Sequence, residues 1–192
     1  MAVANSFFGK DWGMGVRETV SNSLRRHANM TDRLAALRAI VFYGDDAPRE
    51  QALAAFYADW RHDALVMNQW FAVQAAMPSG DTLARVQGLL SHPDFDVRNP
   101  NKVRSLVGVF SGQNPVQFHR TDGEGYRFLA DMVLQFDKAN PQLASRLLTP
   151  LTKWRNYRGR SELMCAQLER LAQGELSPDV FELVTKSLGE ME

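Results

Sequence analysis

The sequence predicts an all-α protein of about ten helices, and three observations point to it. First, asparagine or a hydroxyl residue stands directly before proline at Asn99-Pro100, Asn114-Pro115, Asn140-Pro141, Thr149-Pro150 and Ser177-Pro178. Such pairs favour a helix start, because the polar side chain accepts a hydrogen bond from the first turn and proline needs no donor there. Second, apolar residues recur at three- and four-residue spacing. Third, no run alternates apolar and polar residues as a strand would.

The first half of the chain divides into an irregular beginning and a series of periodic segments. Residues 1–28 are predicted to be an N-terminal extension or junction segment, and residues 29–192 the helical domain. Up to Pro93, four helices are predicted, and each consists of a cap or break followed by an apolar stripe. The caps or breaks and their stripes are Asn29 or Thr31 with Leu34, Leu37, Ile40 and Val41; Gly44 to Pro48 with Leu53, Phe56, Tyr57 and Trp60; Asp63 with Val66, Trp70, Val73 and Met77; and Ser79-Gly80 with Leu83, Val86, Leu89 and Leu90.

The second half continues in the same way, with polar residues before each stripe. We expect a break at residues 111–114 and a short turn after Pro115. The predicted starts and stripes are Asn99 with Val103, Leu106, Val107 and Phe110; Thr121 or Asp122 with Tyr126, Leu129, Met132, Val133 and Phe136; Asn140 with Leu143 and Leu147; Pro150 with Leu151 and Trp154; Ser161 with Leu163, Met164, Leu168 and Leu171; and Ser177 with Phe181, Val184 and Leu188.

Short connections place consecutive helices side by side and antiparallel. The helix-pair unit repeats at roughly 30 to 40 residues, which is near the range of helical solenoids. The sequence therefore predicts a superhelical stack of antiparallel helix pairs of the armadillo or HEAT type, with a compact irregular bundle as the alternative. The large aromatic residues Trp60, Trp70 and Phe71 are expected in the core.

Composition excludes several classes of protein. Lys plus Arg and Asp plus Glu each number 22 in 192 residues, so the chain lacks the basic surplus that is typical of nucleic-acid binders. No apolar run approaches the roughly 18 residues of a membrane span, and the first residues lack a signal-peptide layout. Cys165 is the single cysteine and is expected to be a small buried residue. A cytoplasmic protein without membrane or nucleic-acid partners is the expectation.

Catalytic and metal motifs are missing from the sequence. The four histidines include no H-E-x-x-H pair, and G-x-S-x-G and the P-loop are absent. Cys165 has no base near it in sequence, so we predict no catalytic residue, no metal ligand and no cofactor bound by this chain. The segment Asp122-Gly123-Glu124-Gly125 lacks the ligands of a calcium loop and is interpreted as a glycine-rich helix entry.

Two polar residues and two cationic clusters are the candidates for binding, and the first cluster, Arg25, Arg26 and His27, is interpreted as a solvated face in preference to a phosphate site. Gln142 and Arg146 are four residues apart and share one helix face, where an amide and a guanidinium can bind a peptide backbone or a carboxylate. Spacing alone favours the simpler alternative, in which both face water or pair with a nearby acid. The cluster Lys153, Arg155, Arg158 and Arg160 is likewise interpreted as a solvated face in preference to a phosphate site.

The residues from Asn140 to Leu147 read NPQLASRL, and they resemble the N-P-Q-x-A-S-R-L segment of the bacterial aminopeptidase N (alanyl aminopeptidase) family. The resemblance extends from about Asn29 to Leu188. Further segments agree in order: Asn29 to Asp32, Leu65 to Met67 with Trp70-Phe71, Asn99 to Gly108, Asn114-Pro115 with Phe118-His119, and Asp122-Gly123 with Gly125-Tyr126.

The family consists of zinc metallopeptidases that remove N-terminal residues from peptides. Its H-E-x-x-H and G-A-M-E-N motifs do not occur here, so the resemblance implies the non-catalytic C-terminal helical domain, with zinc held by the catalytic domain of the parent enzyme. This domain would pack against the catalytic domain, enclose the active-site cavity and control the access of peptides. The resemblance also implies that Gln142 and Arg146 face that cavity and contact the substrate. The alternative is a free-standing helical-repeat scaffold that binds a protein or a peptide.

Overall fold

The computed structural model describes residues 29–189, and within that range the regular structure is helical with no β-strand. The predicted all-α class is therefore confirmed. The predicted segment 1–28, with its cluster Arg25, Arg26 and His27, lies outside the described residues, and the predicted boundary at residue 29 stays a prediction. None of the helices in residues 29–189 combines the length and the apolar character that crossing a membrane requires. The chain divides into two compact units, Met1–Val73 and Gln74–Glu192.

The first unit holds two helices that pack against each other and most of a third. Asn29 caps the first helix, since its side chain accepts a hydrogen bond from the N–H of Asp32. Trp70 and Phe71 are buried as predicted, whereas Trp60 is only half-buried. The indole N–H of Trp70 donates to the carbonyl oxygen of Leu53 at 3.0 Å. The helices are α1 (Met30–Tyr43), α2 (Asp46–Trp60) and α3 (Ala64–Ala75), the last of which crosses the boundary between the units.

The second unit contains seven further helices among its described residues, and α8 contacts more of them than any other. It packs against α7, α9, α10 and the middle of α5. Because these neighbours pack against its buried face, the backbone of α8 is held in place, and this fixes the positions from which its exposed side chains extend. The helices are α4 (Thr82–Leu89), α5 (Pro100–Val103, Arg104–Gly108 and Val109–Gln113 in sequence), α6 (Pro115–Phe118), α7 (Glu124–Asp137), α8 (Pro141–Thr152), α9 (Ser161–Ala172) and α10 (Pro178–Gly189).

All three asparagine–proline pairs begin a helix as predicted. In each pair the proline occupies the first turn and the asparagine side chain accepts a hydrogen bond from a backbone N–H of that turn. Asn140 accepts from the N–H of Leu143 at 3.0 Å, for example, and thereby fixes the start of α8. The Ser177-Pro178 pair begins α10 in the same manner. These local signals work because each one satisfies a donor that the helix itself leaves free.

The prediction that Pro150 starts a new helix is wrong, because α8 continues through Pro150 to Thr152. A proline in a helix loses one hydrogen bond, here the one to the carbonyl of Arg146, and it normally bends or ends the helix. Leu148 and Leu151 are fully buried on either side of Pro150. The packing of this apolar face outweighs the missing bond, and no sequence motif reports that balance.

The predicted break at residues 111–114 is shorter than expected, because α5 continues to Gln113 and only Asn114 leaves the helical conformation. The hydroxyl of Ser111 donates to the carbonyl oxygen of Val107, four residues earlier, at 2.9 Å. Serine is tolerated inside a helix when its hydroxyl bonds back in this way. The middle of α5, Arg104–Gly108, forms a π-helical turn that the sequence did not predict.

Some predicted core positions are exposed. Leu163 and Phe181 were placed on apolar stripes but are 38% and 50% exposed. The buried face of α10 is defined instead by Val180, Val184 and Ser187. Because one residue turns a helix by about 100°, an error of one position in the stripe moves a side chain from the core to the surface. Cys165 is half-buried and not part of the core, and burial raises the pKa of its thiol, with the nearby carboxylate of Glu169 acting in the same direction.

The glycine-rich segment before α7 is a helix entry, as predicted. Gly123 has a φ of 71°, a conformation that residues with a side chain rarely adopt. The carboxylate of Asp122 accepts a hydrogen bond from the N–H of Glu124 at 3.0 Å, and α7 begins at Glu124, two or three residues later than the sequence predicted. Burial is complete for Tyr126, Leu129 and Val133 of the predicted stripe.

Candidate functional site

Helix α8 has an apolar face and a polar face. The buried residues of the helix are Leu143, Ala144, Leu147, Leu148 and Leu151. The exposed polar residues recur at spacings of four, three and four, and they are Gln142, Arg146, Thr149 and Lys153. Residues at these spacings share one face, so Gln142, Arg146 and Thr149 follow a line along α8, and Lys153, the residue that caps the C-terminus of α8, continues this line. We call this line the α8 polar stripe.

A cavity of about 540 Å³ lies against the C-terminal part of the α8 polar stripe. Gly108 and Gly112 of α5 line one side of it. Gly112 is a helical residue at which an added Cβ would meet no atom within 4 Å, so the absence of a side chain there leaves open space. Arg146, Thr149 and Lys153 of the stripe also line the cavity. The wall therefore combines small residues on one helix with long cationic side chains on another.

The structure places the two predicted binding residues differently with respect to this cavity. Arg146 is exposed and lines it, and within residues 29–189 its guanidinium forms no ion pair with a carboxylate. The alternative of a pair with a neighbouring acid is thus not realised in the described part of the chain. Gln142 is exposed one turn earlier on the same face and does not line the cavity. A role for either residue in binding peptide stays a prediction.

The charge of the cavity wall is uncompensated. Arg146 and Lys153 are the cationic residues on it, and no aspartate or glutamate is found among the described residues that line it. Two positive charges without a negative neighbour produce a positive potential inside the concave space, and that potential attracts anions. The arrangement is suited to a ligand that carries a carboxylate.

An aromatic pair lines another side of the cavity. The rings of His119 and Tyr157 are stacked with their centroids 4.1 Å apart. The Nδ1 atom of His119 shares a hydrogen bond of 2.9 Å with the hydroxyl of Tyr126, a buried residue of α7. Burial lowers the pKa of His119, and the nearby cation of Arg160 lowers it further. His119 is therefore neutral at pH 7 and adds no charge to the wall. Burial also raises the pKa of Tyr126 to about 12, so its hydroxyl stays protonated.

The predicted solvated cluster after α8 divides into members that are held by the protein and members that are not. Arg155 donates to the carbonyl oxygen of Ser187 at 2.9 Å, and Arg160 donates to the carbonyl oxygen of His119 at 3.0 Å. Lys153 lines the cavity, and within residues 29–189 its ammonium group forms no hydrogen bond or ion pair. Arg158 is exposed and does not line the cavity.

Sequence reasoning missed the residues that complete the cavity. Gly112 lies in α5, whereas His119 and Tyr157 lie in the segments that follow α6 and α8, and no local pattern relates these three residues to the polar face of α8. Lys153 could have been found, since it continues the spacing of Gln142 and Arg146 along the same face. It was grouped with the arginines that follow it because they are adjacent in sequence.

The described residues do not form a metal site. Within residues 29–189, no three His, Cys, Asp or Glu side chains lie close enough together to hold a metal ion. The side chains of this part of the chain therefore do not fit zinc, which usually takes three or four such ligands. What the cavity offers is recognition of a ligand by charge, hydrogen bonds and shape.

Comparison with known proteins identifies the domain. Residues 10–189 match the profile of the family described as "Domain of unknown function (DUF3458_C) ARM repeats". The chain belongs to this family. Since the family is one of armadillo repeats, the predicted stack of helix pairs is confirmed as well.

Relatives of known activity cover most of this chain with a small part of their own length. Aminopeptidase N of Caulobacter vibrioides is 48% identical over 163 residues, which are 84% of this chain and 19% of that protein. Aminopeptidase N of Escherichia coli (strain K12) is 45% identical over 172 residues, which are 88% of this chain and 20% of that protein. The chain thus spans about one fifth of the length of these relatives.

A solved aminopeptidase structure likewise matches most of this chain with a small part of its own length. The crystal structure of Legionella pneumophila aminopeptidase A in complex with aspartic acid matches with a TM-score of 0.86 and 33% sequence identity. The match covers 95% of this chain and 21% of that one. The resemblance to the C-terminal region of bacterial aminopeptidases, which the sequence motifs indicated, is therefore confirmed.

Proposed function

We propose that this chain is the non-catalytic C-terminal helical domain of a zinc aminopeptidase that removes N-terminal residues from peptides. Its role is to enclose the active-site cavity, to control the access of peptides and to contact them through Gln142 and Arg146. The observation that carries the proposal is the exposed guanidinium of Arg146 on a cavity without acidic residues, in a domain that matches one fifth of an aminopeptidase. The partners are the catalytic domain and peptide substrates, and the location is the cytoplasm.

The division of labour follows from the side chains that are present. Zinc would belong to the catalytic domain, where it would polarise the carbonyl group of the peptide bond that is cleaved and would activate water. Arg146 offers a planar set of donors for a peptide carbonyl or carboxylate, and Gln142 offers both a donor and an acceptor, as a peptide backbone requires. Neither residue takes part in bond cleavage. Both hold the part of the peptide beyond the cleaved residue.

Kinetics on the enzyme expressed from its complete reading frame test this role. Arg146→Ala should raise the KM for tetra-alanine about 10- to 100-fold, because a hydrogen bond to a charged group contributes about 1.5 to 3 kcal/mol. Hydrolysis of alanine p-nitroanilide, which has no residues beyond the cleaved bond, should change less than about twofold. The matched control is Arg158→Ala, which removes an exposed cation that does not line the cavity.

Two results would contradict the proposal. The first is an equal loss on both substrates in the Arg146 variant, which would indicate a general effect on the enzyme. The second is a reading frame without a metallopeptidase region, in which case the free-standing scaffold takes its place. The isolated 192-residue chain is expected to release no alanine from the chromogenic amide and to bind no stoichiometric zinc.

A further inference from the structure

The α8 polar stripe has the length of a short peptide. Gln142 and Lys153 lie at its two ends, and at 1.5 Å per residue their positions are about 16 Å apart along the helix axis. An extended peptide advances about 3.3 Å per residue, so roughly five residues reach from one end of the stripe to the other. The polar face of α8 is therefore long enough to contact a peptide over its whole length.

The two ends of the stripe differ in charge. Gln142, at the N-terminal end, is neutral and lies outside the cavity, whereas Lys153 lies at the other end and lines it. Lys153 has no hydrogen-bonding or ion-pairing partner among residues 29–189, and nor does Arg146, two turns earlier on the same face. A ligand that lies along the stripe thus meets increasing positive charge toward Lys153.

The surroundings of Lys153 leave its ammonium group available to bind a ligand in the cavity. Of the cations that follow α8, Arg155 and Arg160 are held by backbone carbonyl oxygens. The stacked rings of His119 and Tyr157 line the same cavity, and a hydrogen bond between Nδ1 of His119 and the hydroxyl of Tyr126 connects that wall to α7. Lys153 therefore lies beside an uncharged aromatic surface, in a cavity that no acidic side chain of the described residues lines.

We infer that Lys153, together with Arg146, binds a carboxylate of the peptide in this cavity, and that the peptide lies along α8 with its N-terminal part near Gln142. The inference rests on the proposed function, which supplies the peptide, whereas the positive charge that increases toward Lys153 supplies its direction. The carboxylate belongs either to the C-terminus of a peptide of about five residues or to an acidic side chain near that position. Both sources present the same two oxygen atoms to a cation.

Binding of pentapeptides to the 192-residue chain tests the inference, with NMR titration as the measurement. The probes are penta-alanine as the free acid, penta-alanine amide, and Ala-Ala-Ala-Glu-Ala amide. We expect the free acid to bind about three- to tenfold more tightly than penta-alanine amide, since a solvent-accessible ion pair contributes up to about 1 kcal/mol and the second cation adds to it. If the glutamate amide recovers that affinity, an acidic side chain is a second source of the carboxylate.

Variants assign the preference to Lys153. Lys153→Gln should reduce the difference between free acid and amide to the smaller part that Arg146 alone supplies, Lys153→Arg should retain it, and Arg158→Gln should leave it unchanged. Because Lys153 is exposed, these substitutions should also leave the thermal unfolding midpoint unchanged. The preference should decline as salt is raised from 0.05 to 0.5 M, because ions screen an exposed pair.

The outcomes separate this inference from the proposed function. Equal binding of acid and amide, no binding of the free acid at millimolar concentration, or a preference of undiminished size in Lys153→Gln overturns the inference. If the preference depends on Lys153 while Arg146→Ala has no effect on the hydrolysis of tetra-alanine, the carboxylate site stands and the proposed function fails. If the kinetic test succeeds and the preference is absent, only the site at Lys153 is wrong.

Discussion

The two faces of α8 are built from the same twelve-residue helix but depend on different parts of the molecule. The apolar face is buried and packs where α7, α9 and α10 meet α8. The polar face carries Gln142 and Arg146, is continued by the C-cap residue Lys153, and is completed by residues outside the helix such as Gly112 and Tyr157. The comparison shows how packing on one side of a helix fixes the position of the side chains on its other side. Changes to the first should alter stability, and changes to the second should alter binding.

The largest effect is expected on the apolar face. Leu148→Ala removes a fully buried side chain and should lower the free energy of unfolding by about 2 to 5 kcal/mol, because the surrounding helices only partly fill the space that the leucine side chain leaves. Thr149→Ala, the next residue on the exposed face, should change it by less than about 0.5 kcal/mol. Urea denaturation of both variants measures the difference. Similar losses in the free energy of unfolding for the two variants would contradict the expectation that the apolar face contributes far more to stability than the polar face.

A smaller effect on stability is expected at Asn140, the residue that caps the start of α8. Asn140→Ala should cost about 1 kcal/mol, since its side chain would no longer accept the hydrogen bond from the N–H of Leu143. Asn140→Asp should retain most of the stability, because a carboxylate accepts the same bond. Thermal unfolding detects the loss as a shift of about 2 to 4 °C for a chain of this length. An equal loss in both variants would mean that the capping bond is not the cause.

Much of the fold was predictable from local patterns. The three asparagine–proline pairs and the stripe that ends in Phe110 required only capping chemistry and helical spacing. The errors arose where tertiary packing decides. Pro150 lies inside α8 because buried leucines surround it, and Phe181 is exposed because the core contacts α10 one residue earlier, at Val180. A sequence window contains neither of these partners.

The candidate site was predictable only in part. Gln142 and Arg146 were selected because of a resemblance, and spacing alone favoured solvent for both. Their neighbours across the cavity were out of reach, since His119 and Tyr157 come together only through the packing of separate elements. Lys153 lay within reach of the helical spacing but was obscured by the cations beside it in sequence. The buried residues of a helix can therefore be predicted from the residue pattern of that helix alone, whereas a concave site is formed by several segments whose packing no single pattern predicts.

The smallest effect is expected on the wall opposite the α8 polar stripe. Gly112→Ala should raise the free energy of unfolding by about 0.5 to 1 kcal/mol, because alanine favours a helix over glycine and an added Cβ meets no atom within 4 Å. Gly88→Ala is the matched control, since Gly88 is also helical and equally open but does not line the cavity.

Urea denaturation should give the same gain for both glycine variants. Equal gains would show that nothing in the fold requires glycine at position 112, so that its absence of a side chain serves the open space opposite Arg146. If Gly112→Ala destabilises the chain while Gly88→Ala stabilises it, the backbone itself requires the glycine, and the open wall is a by-product of folding.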